Sequence, residues 1–285
     1  MSTGCFVERD SDPHITLRDH LLEAGPEVIA EPDACRAGDG GLEFVAAALR
    51  DQLKISGYAF LQLRDPLSNP GFIAVGNALG KPIPERDAAV QPYVEEGILL
   101  NLTNHATRTS DVSLQPFTTN FLTLHTEGSA RPARRQPRYV LLMCCAQGNS
   151  GTARTVLVPM AMVRRRLSPG DADLLARVRY RRGQDVPPLL RNVAGEEVFS
   201  FRDFHTEPLA WVLDGETEEA LLVNPALRRL LVALYTSDGA LAVEWRRGML
   251  LAIDNHRYFH GRTVSDDRSP LNPRHLKRLR LLARG

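Results

Sequence analysis

Cysteine is scarce and unpatterned in this chain, with four in 285 residues, at Cys5, Cys35, Cys144 and Cys145. That spacing excludes a disulfide framework and a thiolate zinc cluster, which need cysteines at short regular intervals. The adjacent pair Cys144-Cys145 continues the apolar run Tyr139-Val140-Leu141-Leu142-Met143 and reads as strand core. No apolar run approaches the ~20 residues of a membrane span. The first twelve residues are polar, without the apolar centre of a signal peptide, so a cytoplasmic setting is expected. An excess of one charge is lacking too. Lys and Arg number 35 against 34 Asp and Glu, and a net charge of +1 gives no general pull toward nucleic acid or a membrane surface. Internal repeats and low-complexity tracts are absent, which excludes a solenoid.

What is present is ordinary globular composition, with a hydrophobic share of 43% that can build a large core. Residues 1–40 mix Gly, Pro, Asp and Glu and read as an irregular lead-in with one short helix over 16–24. His14 and His20 are expected at its surface. Residues 41–285 read as a single domain. Helical spacing of Phe44, Val45, Ala48, Leu49 and Leu53 predicts a helix over 42–55, stopped by Gly57. Strands follow over 58–63, 98–102, 139–146 and 155–159, and a second helix spans 70–79. Residues 147–151 carry a hairpin-type turn signal, and 103–113 are polar enough for a surface loop or lid. Ser168 and Pro169 open another helix. A helical stretch over 217–235 is expected to break at Asn224-Pro225. The balance is mainly β with flanking helices.

Chemistry concentrates in two runs. Leu122-Thr123-Leu124-His125-Thr126-Glu127 alternates as a strand over 121–127, so His125 and Glu127 share a face while Thr126 points away. A helix would turn them about 200° apart. Downstream, Ile253-Asp254-Asn255-His256-Arg257-Tyr258-Phe259-His260-Gly261-Arg262 supplies His260. Two histidines and one carboxylate are the donor set of a facial non-haem Fe(II) site, which leaves three positions open for co-substrate and O2. The triplet alone is a weak signal, because His205-Thr206-Glu207 repeats it. Pro208 follows that second copy and no further His-Gly-Arg remains for it, so His125 and Glu127 are preferred. A third run, Arg274-His275-Leu276-Lys277-Arg278, begins fourteen residues after His260. Arginine holds a carboxylate through a planar, bidentate fork, so Arg274 and Arg278 are candidates to bind acid groups. Lys277, Arg280 and Arg284 read instead as a basic C-terminal tail.

Asp254-Asn255-His256-Arg257-Tyr258-Phe259-His260-Gly261-Arg262-Thr263 resembles the distal-histidine motif of the taurine dioxygenase/clavaminate synthase superfamily of Fe(II)/2-oxoglutarate oxygenases. Leu124-His125-Thr126-Glu127-Gly128 is similar to its proximal motif in the Glu-bearing form, and Gly151-Thr152-Ala153-Arg154-Thr155 resembles its Gly-rich turn. The resemblance spans most of residues 42–282. It implies a double-stranded β-helix, or jelly roll, with His125, Glu127 and His260 on Fe(II). It implies Arg274 on the distal carboxylate of 2-oxoglutarate with Thr155 assisting, and Arg278 free to meet a substrate carboxylate or sulfonate. It further implies hydroxylation, desaturation or cyclisation at an unactivated C–H bond, with O2 and 2-oxoglutarate consumed and succinate released. The expected substrate is a small molecule, an amino acid or its derivative, free or carrier-bound, in specialised metabolism such as antibiotic biosynthesis. Asp203 and Asp111 are candidates for pairing a substrate amine. Asn255 and Arg257 are expected to support the site rather than touch substrate.

Three other readings stand beside this one. A catabolic dioxygenase would act on a sulfonate or carboxylate. A jelly-roll binding protein would keep the pocket without turnover. A zinc hydrolase would use the same donors, although its helical His-Glu-x-x-His signature is absent. The oligomeric state is left open.

Overall fold

The computed structural model describes residues 1–34, 41–103, 114–148, 153–181, 185–205, 207–236, 238–265 and 273–284. The elements begin with β1 (Ser2–Phe6), α1 (Pro13–Asp19), β2 (Asp33–Ala34), α2 (Gly41–Ser56), β3 (Tyr58–Gln62), α3 (Asn69–Leu79) and β4 (Lys81–Pro82). Next come β5 (Val94–Glu95), β6 (Leu99–Thr103), β7 (Leu122–His125), β8 (Tyr139–Ala146), β9 (Thr155–Pro159), α4 (Met160–Arg165) and α5 (Pro169–Leu175). The chain continues through β10 (Val178–Tyr180), β11 (Leu190–Val193), β12 (Glu196–Phe199), β13 (Leu209–Leu213) and α6 (Thr217–Tyr235). It closes with β14 (Leu241–Val243), β15 (Met249–Asp254), β16 (Tyr258–Arg262) and β17 (His275–Leu282).

Two sheets make the jelly roll. The larger runs β2-β3-β15-β8-β17-β6-β5, with β4 also paired to β17, and the smaller runs β14-β9-β16-β7. Period-2 alternation sorts the side chains of each strand between two layers. On β17, Leu279 and Leu281 pack beneath α2 and α3 with Leu49, Leu53, Phe72 and Val75. Leu276, an even position, joins Leu142, Leu157, Ile253 and Phe60 in a second core cluster. On the smaller sheet Val156, Val158 and Phe259 point outward to Val163, Leu227 and Leu230 of α4 and α6. Thr155 and His260 therefore take the opposite face. Helices sandwich a sheet pair whose inner face holds the polar site.

Several expectations change. The lead-in is not irregular throughout. β1 pairs with β13, and α1, extended by a π-helical turn over His20–Ala24, packs against α6. His14, expected at the surface, is buried and bonds Glu8 at 2.8 Å. Charge composition hid this, because the buried charges there are paired. The turn signal at 147–151 is not a hairpin between β8 and β9. Both edges of β8 are taken by β15 and β17, so the chain crosses to the other sheet. The helix over Thr217–Tyr235 runs unbroken through Pro225. An interior proline costs roughly 3 kcal/mol, but the buried face of Val223, Leu227 and Leu230 offsets it, since each such side chain contributes about 1.5–3 kcal/mol. The expected lid over 103–113 and the loop joining His260 to Arg274 lie largely outside the described residues, as do Gly151 of the turn signal, His105 and Asp111.

Candidate active site

Antiparallel pairing of β7 with β16 sets His125 directly opposite His260, with ring centroids 4.3 Å apart. Glycine makes that pairing possible. A Cβ on Gly261 would meet the Leu122 carbonyl oxygen at 2.6 Å, so β7 can lie this close only because position 261 has no side chain. The register then slips by one residue between His260 and Arg262, a bulge beside the site.

The alternation predicts strand to residue 127, yet β7 stops at His125. Thr126 turns away and trades hydrogen bonds with Phe201, donating its N–H at 2.8 Å to the carbonyl and accepting at 3.1 Å on its hydroxyl. Glu127 is instead held by Asn255. The Asn255 Oδ1 accepts from the Glu127 N–H at 2.7 Å, and its Nδ2 donates to the carbonyls of Glu127 at 3.1 Å and Pro137 at 3.0 Å. Gly128, at φ 71°, then turns the chain off. Glu127 Oε2 consequently lies 4.0 Å from His125 Nε2 and 3.7 Å from His260 Nε2. Among the described residues, these three form a buried donor group whose atoms all lie within 4.8 Å of one another.

Protonation favours metal binding. His125 donates from Nδ1 to the Thr123 carbonyl at 2.8 Å, which leaves the Nε2 lone pair facing Glu127. Burial holds its pKa well below the usual histidine value, and the neighbouring His260 and Arg202 push the same way. The ring is therefore neutral, as a ligand must be. For Glu127 burial alone would raise the pKa, but Arg278, a hydrogen bond with His260, and Arg280 outweigh it and keep the carboxylate ionised. Two imidazole nitrogens and one anionic oxygen, gathered within 4.8 Å of one another, are a donor set that suits a divalent ion.

The site opens on a cavity of about 60 Å³, walled by Leu102, Leu122, Val140, Leu142 and Leu276. Thr155, Arg262, Arg274 and Arg278 bring the polar edge. Thr155 Oγ1 accepts from Trp245 Nε1 at 3.0 Å, so its own hydrogen is left to donate elsewhere. Arg274 is 4% exposed and sits just before β17. Arg262 does not reach for substrate. Its guanidinium donates to the carbonyls of Pro116 and Asn120, both at 2.6 Å, and to that of Thr118, and this ties the 116–120 segment over β16. Arg278 lines the cavity but also bonds Glu127 at 3.4 Å and Glu85 at 3.2 Å.

Some candidates separate from the site. His205 stacks on Phe121 at 5.4 Å and lies, with Glu207, in the wall of a different small cavity. Asp203 cannot pair a substrate amine, because Arg18 Nε at 2.7 Å and the Tyr235 hydroxyl at 2.6 Å take its carboxylate on the outer side of β7. Arg280 is not a tail residue but is buried against Glu127, and Lys277 pairs with Glu95 at 2.7 Å. Glu85, unremarked in the sequence, bonds both Arg278 and Arg280. The Arg278–Arg280 spacing, two apart on a strand, was the available signal for Arg280.

The chain belongs to the Taurine catabolism dioxygenase TauD, TfdA family, whose profile matches residues 41–280. It is an Fe(II)- and 2-oxoglutarate-dependent dioxygenase. Solved structures share its jelly-roll fold. An asparagine oxygenase, in complex with Fe(II), (2S,3S)-3-hydroxyasparagine and succinate, superposes at TM-score 0.63 and 17% identity, covering 97% of this chain and 93% of that one. PvcB from Pseudomonas aeruginosa gives 0.59 at 20% identity, with 90% of each chain covered. The non-haem iron oxygenase OrfP, solved with Fe and α-ketoglutaric acid, gives 0.60 at 20% identity over 85% and 80%. No curated protein matches the sequence.

Proposed function

We propose that this dioxygenase oxidises an unactivated C–H bond of an amino acid or amino-acid-derived small molecule, free or carrier-bound, in specialised metabolism. Hydroxylation is the default outcome, with desaturation or cyclisation as variants. His125, Glu127 and His260 hold Fe(II). Bound there with 2-oxoglutarate, the iron supplies the activation of O2, and succinate and CO2 leave. Arg274 takes the distal carboxylate of 2-oxoglutarate, and Thr155, its hydroxyl turned by Trp245, donates a further hydrogen bond. The apolar wall of Leu102, Val140, Leu142 and Leu276 excludes water beside the reacting carbon. Arg278, which meets Glu127 at 3.4 Å and Glu85 at 3.2 Å, offers its guanidinium to the carboxylate of the substrate.

The observation that carries this reading is the convergence of both imidazoles on Glu127 Oε2, at 4.0 and 3.7 Å, with Arg274 and Arg278 in the same cavity wall. The amino-acid class is supported by likeness in fold to the asparagine oxygenase and to OrfP, the latter also solved with (3S)-hydroxy-L-arginine. The test is a succinate-release screen with Fe(II), 2-oxoglutarate and O2 over amino acids, their carrier-linked forms, and sulfonates. Stimulation by an amino acid is expected, and it disappears in His260→Ala. Stimulation by sulfonates alone would move the protein to the catabolic reading, which the arginine-rich cavity also suits.

A further inference from the structure

Glu127 lies in a closed ring of charges, two members of which, Arg280 and Glu85, the reaction scheme does not use. Its Oε1 meets Arg280 Nη1 at 3.2 Å, and Arg280 Nη2 meets Glu85 Oε2 at 2.5 Å. Glu85 Oε1 meets Arg278 Nη2 at 3.2 Å, and Arg278 Nη1 returns to Glu127 at 3.4 Å, equally far from Oε1 and Oε2. Two acids and two guanidiniums alternate, and their charges sum to zero.

The ring is built by the fold. Arg278 and Arg280 are two apart on β17 and project from one face. Just beyond β4, Ile83 N–H donates to the Arg280 carbonyl at 2.9 Å, which brings Glu85 alongside. The Glu85 backbone is fixed in turn. Its N–H donates to the Gly97 carbonyl at 2.9 Å, and its own carbonyl accepts from Gln91 Nε2 at 2.8 Å. The Glu85 side chain is 2% exposed, so leaving it unpaired would strand a buried charge. The strongest geometry in the ring is Arg280–Glu85, and Arg280, unlike Arg278, does not line the cavity.

We infer that Arg280 and Glu85 are positioning residues that hold Glu127 Oε1 away from the metal, so that Oε2 alone is presented between the two histidines. The division of labour then falls out of the distances. Arg280, clamped by Glu85, is the fixed partner of the ligand carboxylate, while Arg278, at longer range from both acids, stays available to the cavity. The inference rests on the assignment of His125, Glu127 and His260 as ligands.

The test is metal binding by the metal-free full chain, using Co(II) under anaerobic conditions, read by calorimetry and by the visible absorption of the bound ion. Arg280→Met is expected to weaken Co(II) binding about 10- to 100-fold and to change its absorption, the range typical of groups that orient a ligand. Glu85→Gln, which changes no volume, is expected to act in the same direction by a few fold. The double variant should bind no more weakly than Arg280→Met alone, because Glu85 acts through Arg280. Far-UV circular dichroism reports folding, and if Arg280→Met does not fold, Glu85→Gln decides. Folded variants with unchanged affinity and spectrum, beside a wild type that binds, overturn this inference and leave the site assignment standing. A wild type that binds no Co(II) overturns both.

Discussion

His-Thr-Glu is written twice in this chain, at 125–127 and at 205–207, and the two copies have different fates. The first ends β7, where a paired strand brings His260 opposite His125 and Asn255 fixes the backbone of Glu127. In the second, His205 and Glu207 lie outside the named strands. His205 has φ 58°, its N–H bonds Asp203 Oδ1 at 2.8 Å, and its ring stacks on Phe121. Neither His205 nor Glu207 belongs to the donor group that could share an ion. A donor triplet therefore makes a shared ion site only where a neighbouring strand supplies the third donor and a side chain fixes the backbone of the acid.

The largest effect should come from exchanging the two histidines as targets. His125→Ala is expected to lower succinate release by more than about a hundredfold, since it removes a metal donor rather than a supporting group. His205→Ala should stay within roughly twofold, as for substitutions away from the site. Comparable losses in both would erase the distinction. Next is the pin on Glu127. Asn255→Ala removes three hydrogen bonds around that turn and leaves the Glu127 N–H buried, at a cost of about 1–3 kcal/mol. Fe(II) affinity measured by anaerobic titration should fall roughly 10- to 100-fold.

Arg274→Lys keeps the charge but loses the planar fork. The KM for 2-oxoglutarate is expected to rise about tenfold or more while Fe(II) affinity is unchanged. A rise in the metal Kd instead would place Arg274 in the metal scaffold. The smallest effect concerns the buried network beneath β7, where Asp203 joins both regions. There Glu8 bonds His14 and Arg18, and Arg18 bonds Asp203. Burial would raise the Glu8 pKa, but its bonds to His14 and Arg18 bring it down to about 2. A carboxylate depressed in the folded state stabilises fully above its unfolded pKa and loses that contribution as pH falls toward the folded value. The Tm deficit of Glu8→Gln should be constant near neutrality and shrink between about pH 4.5 and 2. A deficit independent of pH would remove ionisation from the account.

Strand alternation at 122–125 and the motif around His260 made both imidazoles legible before any coordinates, because each is a local pattern. The family and its jelly roll were legible on the same residues. Glu85 was not, since an acid in a Pro-rich turn carries no periodicity, and its role depends on β4 meeting β17 some 195 residues later in sequence. Arg280 was hidden by its company, where an arginine-rich end reads as a solvated tail although alternate positions face inward. His14 was misplaced for a related reason. Burial of charge is decided by partners such as Asp203 that lie far along the chain. The same distance effect disguised the crossing from β8 to β9 as a hairpin.

The central claim is that His125, Glu127 and His260 bind one ferrous ion. It is tested most directly by anaerobic Fe(II) titration of the apoprotein in the presence of 2-oxoglutarate, following the visible charge-transfer band. One ion per chain and a band are expected in wild type and in His205→Ala, with neither in His125→Ala or His260→Ala. Retention of the band by either of the latter two, or its absence from the wild type, would contradict it.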